Sequence, residues 1–249
     1  MNDDLLRRDT QDAGERLAQV VHEGQRTMPE AIEDRPLLVC KPHKIESWRI
    51  FKIMSEFVEG FDLLRRQGLA VTFFGSARET FGGDIYKNAN ELAGRLAKKG
   101  FAVITGGSSG IMQAANKGAF EVGGDSIGLN IRLQDEQKYN PYLTEKFIFD
   151  HFFVRKVMLA YASEVYVYFP GGFGTLDEFF EMVTLVQTKK IRKVPIVLFG
   201  KKYWEPLLAF IEKTLLKEYS AINKEDTELY TVVDSVDEAF EYITANVVC

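Results

Sequence analysis

Cysteine is scarce in this chain. Cys40 and Cys249 form no CxxC pair, which argues against a disulfide framework or a cysteine-held zinc site and fits a reducing compartment. Histidine is equally sparse: His22, His43 and His151 lack the spacing of metal ligands, so no metal is expected. No apolar run approaches the roughly 20 residues of a bilayer-spanning helix. The opening MNDDLLRRDTQD has no apolar leader core. A cytoplasmic protein that does not engage membranes is therefore expected. Positive charge is not in excess either, 31 Lys and Arg standing against 36 Asp and Glu for a net charge of -5. Without a basic–aromatic groove pattern, a nucleic-acid binder is not expected.

What is present is a regular alternation. Residues 1 to about 36 are polar and charged, apart from a short helical patch near Leu17, Val20 and Val21, and residues 1–44 read as a partly flexible N-terminal arm. Over 45–66 the residues Trp48, Phe51, Met54, Phe57, Val58, Phe61 and Leu64 recur at three- and four-residue steps, which predicts an amphipathic helix. From residue 69, short apolar β-branched runs (70–74, 102–105, 126–130, 146–149, 165–169, 195–199 and 229–233) alternate with helical patterns (84–99, 111–122, 152–162, 176–189, 204–217 and 236–245). That order predicts a Rossmann-like, doubly wound α/β fold: a mostly parallel sheet of about seven strands with helices on both faces, preceded by the helical extension. Residues 45–249, leading helix included, read as one nucleotide-binding domain.

Chemistry is signalled at the strand ends, where ligands of such sheets bind. PGGFGTLDE (170–178) follows the apolar run VYVYF (165–169) and opens onto a helical pattern. A buried strand feeding a glycine turn into a helix makes an anion site, because the first helical N–H groups lack internal partners. Gly171, Gly172 and Gly174 allow close backbone approach, and Thr175 adds a hydroxyl. Glu178 is a poor phosphate ligand and points to a role on whatever the phosphate carries. The competing reading is a capping box, with Glu178 reaching back to the N–H of residue 175. FGSAR (74–78) and TGGSSG (105–110) end two other strands on the same expected rim, which adds Ser76, Gly107, Ser108 and Gly110 as phosphate candidates. Neither glycine turn is GxGxxG or precedes GK[ST], so dinucleotide and P-loop fingerprints are absent. Arg155 has Phe152, Met158 and Leu159 as helical neighbours, so its stem crosses apolar surface and its head seeks an anion or water. A snorkelling surface arginine fits that spacing equally well. Lys156 points to another side, as a surface residue or a second phosphate contact, and His151 is expected to cap the helix.

Together these residues resemble the LOG family, the cytokinin riboside 5'-monophosphate phosphoribohydrolases. The family pattern PGGxGTxxE stands complete at 170–178, its arginine–lysine pair stands as Arg155-Lys156, and TGGSSGIMQAANKGAFEVGGDSIGLNI (105–131) and FGSAR also look like the family. The resemblance covers about residues 69–245. It departs at Ser108, where a third glycine is usual, and at Leu159, where a methionine is common. The resemblance implies hydrolysis of the N-glycosidic bond of a nucleoside 5'-monophosphate (AMP-like or carrying a modified purine) to free base and ribose 5-phosphate. No cofactor is implied, and a homodimer is. Carried over by position, Arg155 and Glu178 become the catalytic pair. Gly171, Gly172, Gly174 and Thr175 become the phosphate and ribose cradle, and Lys156 and Thr184 substrate contacts. A non-catalytic carrier of a nucleotide or phosphorylated cofactor on the same fold is the alternative; such a carrier needs the cradle but not Arg155 with Glu178. Amino-acid decarboxylation would need a Schiff-base lysine, and no lysine stands in such a context.

Overall fold

The computed structural model describes residues 47–78, 83–133 and 140–247. The expected arm over 1–44, with Cys40, His22 and His43, lies outside them, as does Cys249.

Strands form where short β-branched and aromatic runs alternate their side chains between two apolar layers. In β1 (Ala70–Phe74), Val71 and Phe73 join one core while Ala70 and Phe74 join the other. The same division separates Val165 and Val167 from Tyr166 and Tyr168 in β5 (Val165–Tyr168). A strand buried on both faces reads as a continuous apolar run, as parallel strands do. The remaining strands are β2 (Ala102–Thr105), β3 (Ser126–Ile131), β4 (Glu145–Phe149), β6 (Ile196–Phe199) and β7 (Thr231–Val233). All pair in parallel in the order β4-β3-β2-β1-β5-β6-β7. The chain therefore moves outward from β1 to β4 and returns to the other side of β1, which puts the crevice of the sheet between β1 and β5.

Seven α-helices among the described residues cover both faces. Packed on the Val71 side are α2 (Gly83–Ala97), α3 (Ile111–Glu121) and α7 (Val236–Asn246). On the Phe74 side lie α1 (Ser47–Arg65), α4 (Phe152–Ala160), α5 (Phe173–Gln187) and α6 (Lys201–Phe210). The α6 segment continues as π-helical turns, Ile211–Glu218. The α/β architecture is thus the one expected, with every described strand parallel.

Two expectations need correction. Helix α5 begins at Phe173 with Gly172 at its N-cap, earlier than the expected 176, because Gly174 joins the helix while Gly171 and Gly172 precede it. Helix α1 exists, but its packed side is Glu56, Gly60, Leu63 and Leu64. Trp48, Phe51 and Val58 are 62%, 69% and 69% exposed. Gly60 explains the choice of face: a Cβ there would fall 2.8 Å from Met158 Sδ and 3.2 Å from Phe149 Cε1, so α1 approaches α4 and β4 through its missing side chain.

Candidate active site

The crevice is built by a backbone stitch at Ser76. Its N–H donates to the Pro170 carbonyl (3.0 Å) and its carbonyl accepts from the Ile111 N–H (2.9 Å), tying together the exits of β1, β2 and β5. Gly110 makes that stitch possible: its φ is +66°, and a Cβ would lie 2.2 Å from the Ser76 carbonyl oxygen, which only glycine avoids. Gly107, at φ +67°, presses on Asn130, whose Nδ2 donates to the Gly107 carbonyl at 2.9 Å. Gly107, Ser108 and Gly110, expected as phosphate contacts, are not among the residues lining the cavity. Gly107 and Gly110 act in the frame of the turn.

The cavity itself measures about 310 Å³ and is lined by Ser76, Arg155, Gly172, Gly174, Thr175 and Glu178, together with Phe74, Gly75, Ala77, Arg78, Gly106, Met112, Phe152 and Leu159. That volume lies at the lower end of the range for small-molecule sites. At its floor α5 begins. The N–H groups of Thr175 and Leu176 turn back to the Gly172 carbonyl (3.0 and 3.1 Å), so those of Phe173 and Gly174 are the ones the helix start presents to an anion. A Cβ on Gly172 or Gly174 would meet nothing within 4 Å, whereas one on Gly171 would strike Thr175 Oγ1 at 2.0 Å. Gly172 and Gly174 therefore keep the cradle open, while Gly171 makes room for Thr175. The turn is held from behind as well, Tyr203 donating its hydroxyl to the Gly171 carbonyl at 2.6 Å.

Glu178 does not form a capping box. With Gly172 at the N-cap, the third helical residue is Thr175, and Glu178 lies a turn further on, without an orphan N–H to reach. It is 5% exposed, and its carbonyl accepts from the Tyr168 hydroxyl at 3.1 Å. Burial pushes its carboxyl pKa up to about 8; Lys156 and Arg155 oppose the rise, and Glu181 and Asp177 add to it. Arg155 lies in the same cavity with its guanidinium 4.8 Å from the Phe152 ring centre. Its Nε is buried without a partner, and burial lowers its pKa while Glu178 works the other way. A guanidinium stays charged and needs acceptors, and at its Nε none is supplied.

Lys156 faces away from the cavity, toward the acidic side of α5. Its Nζ donates to Asp177 Oδ2 at 2.6 Å and lies 3.0 Å from Glu181 Oε2, off line for a hydrogen bond, and 4.0 Å from Glu178 Oε1. Burial works against its charge, but these carboxylates outweigh it and raise its pKa. Thr184 is exposed, about 9 Å along α5 from Glu178 at 1.5 Å per residue, and does not line the cavity. His151 stands at the N-cap of α4, but its side chain does not cap the helix; its Nδ1 meets Glu56 Oε1 at 2.9 Å.

Sequence reasoning singled out neither Arg78 nor Met112. Arg78 had a signal, a cation in the turn after β1. Met112 had none, because its place depends on how α3 meets the rim.

Comparison with known proteins bears on the same residues. The family model described as "Possible lysine decarboxylase" matches residues 112–243. A cytokinin riboside 5'-monophosphate phosphoribohydrolase of Rhodococcoides fascians is 26% identical over 154 residues, 60% of this chain and 77% of that one. One of Arabidopsis thaliana is 30% identical over 130 residues, 51% of this chain and 57% of the relative. Among solved structures, the molybdenum cofactor carrier protein of Chlamydomonas reinhardtii superposes with a TM-score of 0.55 at 23% identity, covering 71% of this chain and 96% of that one; this likeness is one of fold.

Proposed function

The chain belongs to the family described as "Possible lysine decarboxylase", the LOG family, and from that premise we propose that it hydrolyses the N-glycosidic bond of an AMP-like or modified-purine nucleoside 5'-monophosphate. The observation that supports this reading is the buried carboxyl of Glu178 in one cavity with an open helix N-terminus and the Arg155 guanidinium. The 5'-phosphate docks on the Phe173 and Gly174 N–H groups and the Thr175 hydroxyl. Binding energy from that remote group positions the sugar. Breaking the ribosyl–base bond builds positive character at C1', which the Glu178 carboxylate stabilises while taking a proton from the attacking water. Arg155 holds the substrate or orients Glu178.

Two other readings fare worse. A carrier of nucleotide or phosphorylated cofactor requires the cradle, but it gains nothing from a buried carboxyl facing it. Decarboxylation through a Schiff base needs a neutral amine, whereas the ion pairs of Lys156 favour its ammonium form. The homodimer implied by the family resemblance belongs to the proposal too. The test is incubation with a panel of nucleoside monophosphates while ribose 5-phosphate and free base are measured. Release by the wild type, and loss of most of it in Glu178→Ala and in Arg155→Ala with the fold retained, is the expected result. Full turnover by Glu178→Ala removes that residue from the mechanism.

A further inference from the structure

We propose that Glu56, on α1 and outside the residues that match the family, is a positioning residue for Arg155. Glu56 is a carboxylate only 7% exposed. Both of its oxygens are engaged at the start of α4: Oε1 accepts from the Asp150 N–H at 3.3 Å, and Oε2 from the His151 N–H at 3.2 Å. Oε1 also meets His151 Nδ1 at 2.9 Å. The start of α4 has no side-chain cap of its own, so a carboxylate from another helix supplies the negative charge that a helix N-terminus favours.

The consequence reaches the cavity through one turn of helix. The Arg155 N–H donates to the His151 carbonyl at 3.2 Å, and the Arg155 guanidinium lies over Phe152, the first residue of α4. Gly60, one turn after Glu56, seats α1 against Met158 on the same helix. Glu56 and Gly60 thus fix where α4 begins and how closely it lies, and with it where the arginine head stands. Glutamine at this position cannot do the same: its one carbonyl oxygen accepts, but its amide nitrogen turns a donor toward another donor. An unsatisfied buried N–H is then left, and the helix start shifts to relieve it.

The inference about catalysis rests on the proposed hydrolysis, so its test has two arms. In the free protein, the Arg155 Nε–Hε resonance, assigned by its loss in Arg155→Ala, is compared between wild type and Glu56→Gln. It is expected to move. In the kinetic arm, Glu56→Gln is assayed at temperatures where circular dichroism shows it fully folded, and kcat/KM is expected to fall about ten-fold or more, as displacement of a catalytic group by a fraction of an ångström does. Glu56→Asp, which keeps both acceptors, is expected to recover part of the loss. An unmoved Arg155 resonance overturns the proposal, as does kcat/KM within two-fold of an active wild type. A wild type that releases no ribose 5-phosphate contradicts the hydrolase reading alone, and the resonance still decides whether Glu56 positions Arg155. If Glu56→Gln does not fold, the resonance is read in Glu56→Asp, whose side chain is one methylene shorter; a smaller shift is expected there, and an unmoved resonance overturns the proposal.

Discussion

At the residue scale the decisive group is Glu178. Its pKa, raised to about 8 by burial, puts its protonation change within reach of physiological pH, as general catalysis requires. Acting as carboxylate and base, it predicts a kcat/KM that climbs as pH rises toward 8; a profile flat from pH 6 to 9 would exclude that role. The same shift is a statement about stability. The folded state holds the proton more tightly than an unfolded glutamic acid of pKa about 4.3. The stability that this proton contributes is fully present below that value and is lost as pH rises through about 8. Glu178→Gln should therefore raise Tm over wild type at pH 9, with the gain shrinking toward pH 5. A gain independent of pH would mean that ionisation at this position is not what destabilises the protein. Arg155 and Glu178 were both visible in the sequence, because PGGxGTxxE and the arginine–lysine pair are specific together. The capping-box alternative for Glu178 could not be set aside from residues alone. It depended on where α5 begins, and only the observed N-cap at Gly172 decides that.

At the element scale the first turn of α5 separates two kinds of glycine that look alike in the sequence. Gly171→Ala drives a methyl group into Thr175 and is expected to lower Tm by several degrees. Gly174→Ala adds a methyl where nothing stands within 4 Å, at a residue that lines the cavity. Alanine is the better helix former by about 1 kcal/mol, so Tm should hold or rise while KM for the nucleotide increases about ten-fold or more, since the added methyl occupies the cradle. Thermal melts beside Michaelis kinetics check both; a Gly174→Ala variant with unchanged KM would place the phosphate elsewhere. Helix α1 marks where sequence patterning stopped being informative. Its periodicity is genuine, but the side it packs is chosen by an absent side chain at Gly60 and a carboxylate at Glu56. Neither adds to an apolar stripe. Thr184 shows the same gap: spacing assigns it to α5 but not to the side of α5 that faces the cavity.

At the scale of the whole molecule, alternating strand and helix patterns made the parallel sheet legible. The strand order was not contained in it; the observed order reverses at β1, which places the crevice between β1 and β5. The common rim expected for FGSAR, TGGSSG and PGGFGT is realised by the Ser76 stitch to Pro170 and Ile111. The homodimer proposed from the family resemblance predicts a sedimentation-equilibrium mass near twice 28.3 kDa; a monomer at assay concentration would contradict it. The anchoring role of the phosphate predicts that adenosine is hydrolysed far more slowly than AMP, and equal rates would argue against it. The most direct measurement of the central claim is a crystal structure of Glu178→Gln with AMP. The phosphate is expected on the N–H groups of Phe173 and Gly174, with C1' beside position 178 and the Arg155 guanidinium within reach. A nucleotide bound outside this cavity, or one lying in it with its phosphate away from the start of α5, would contradict it.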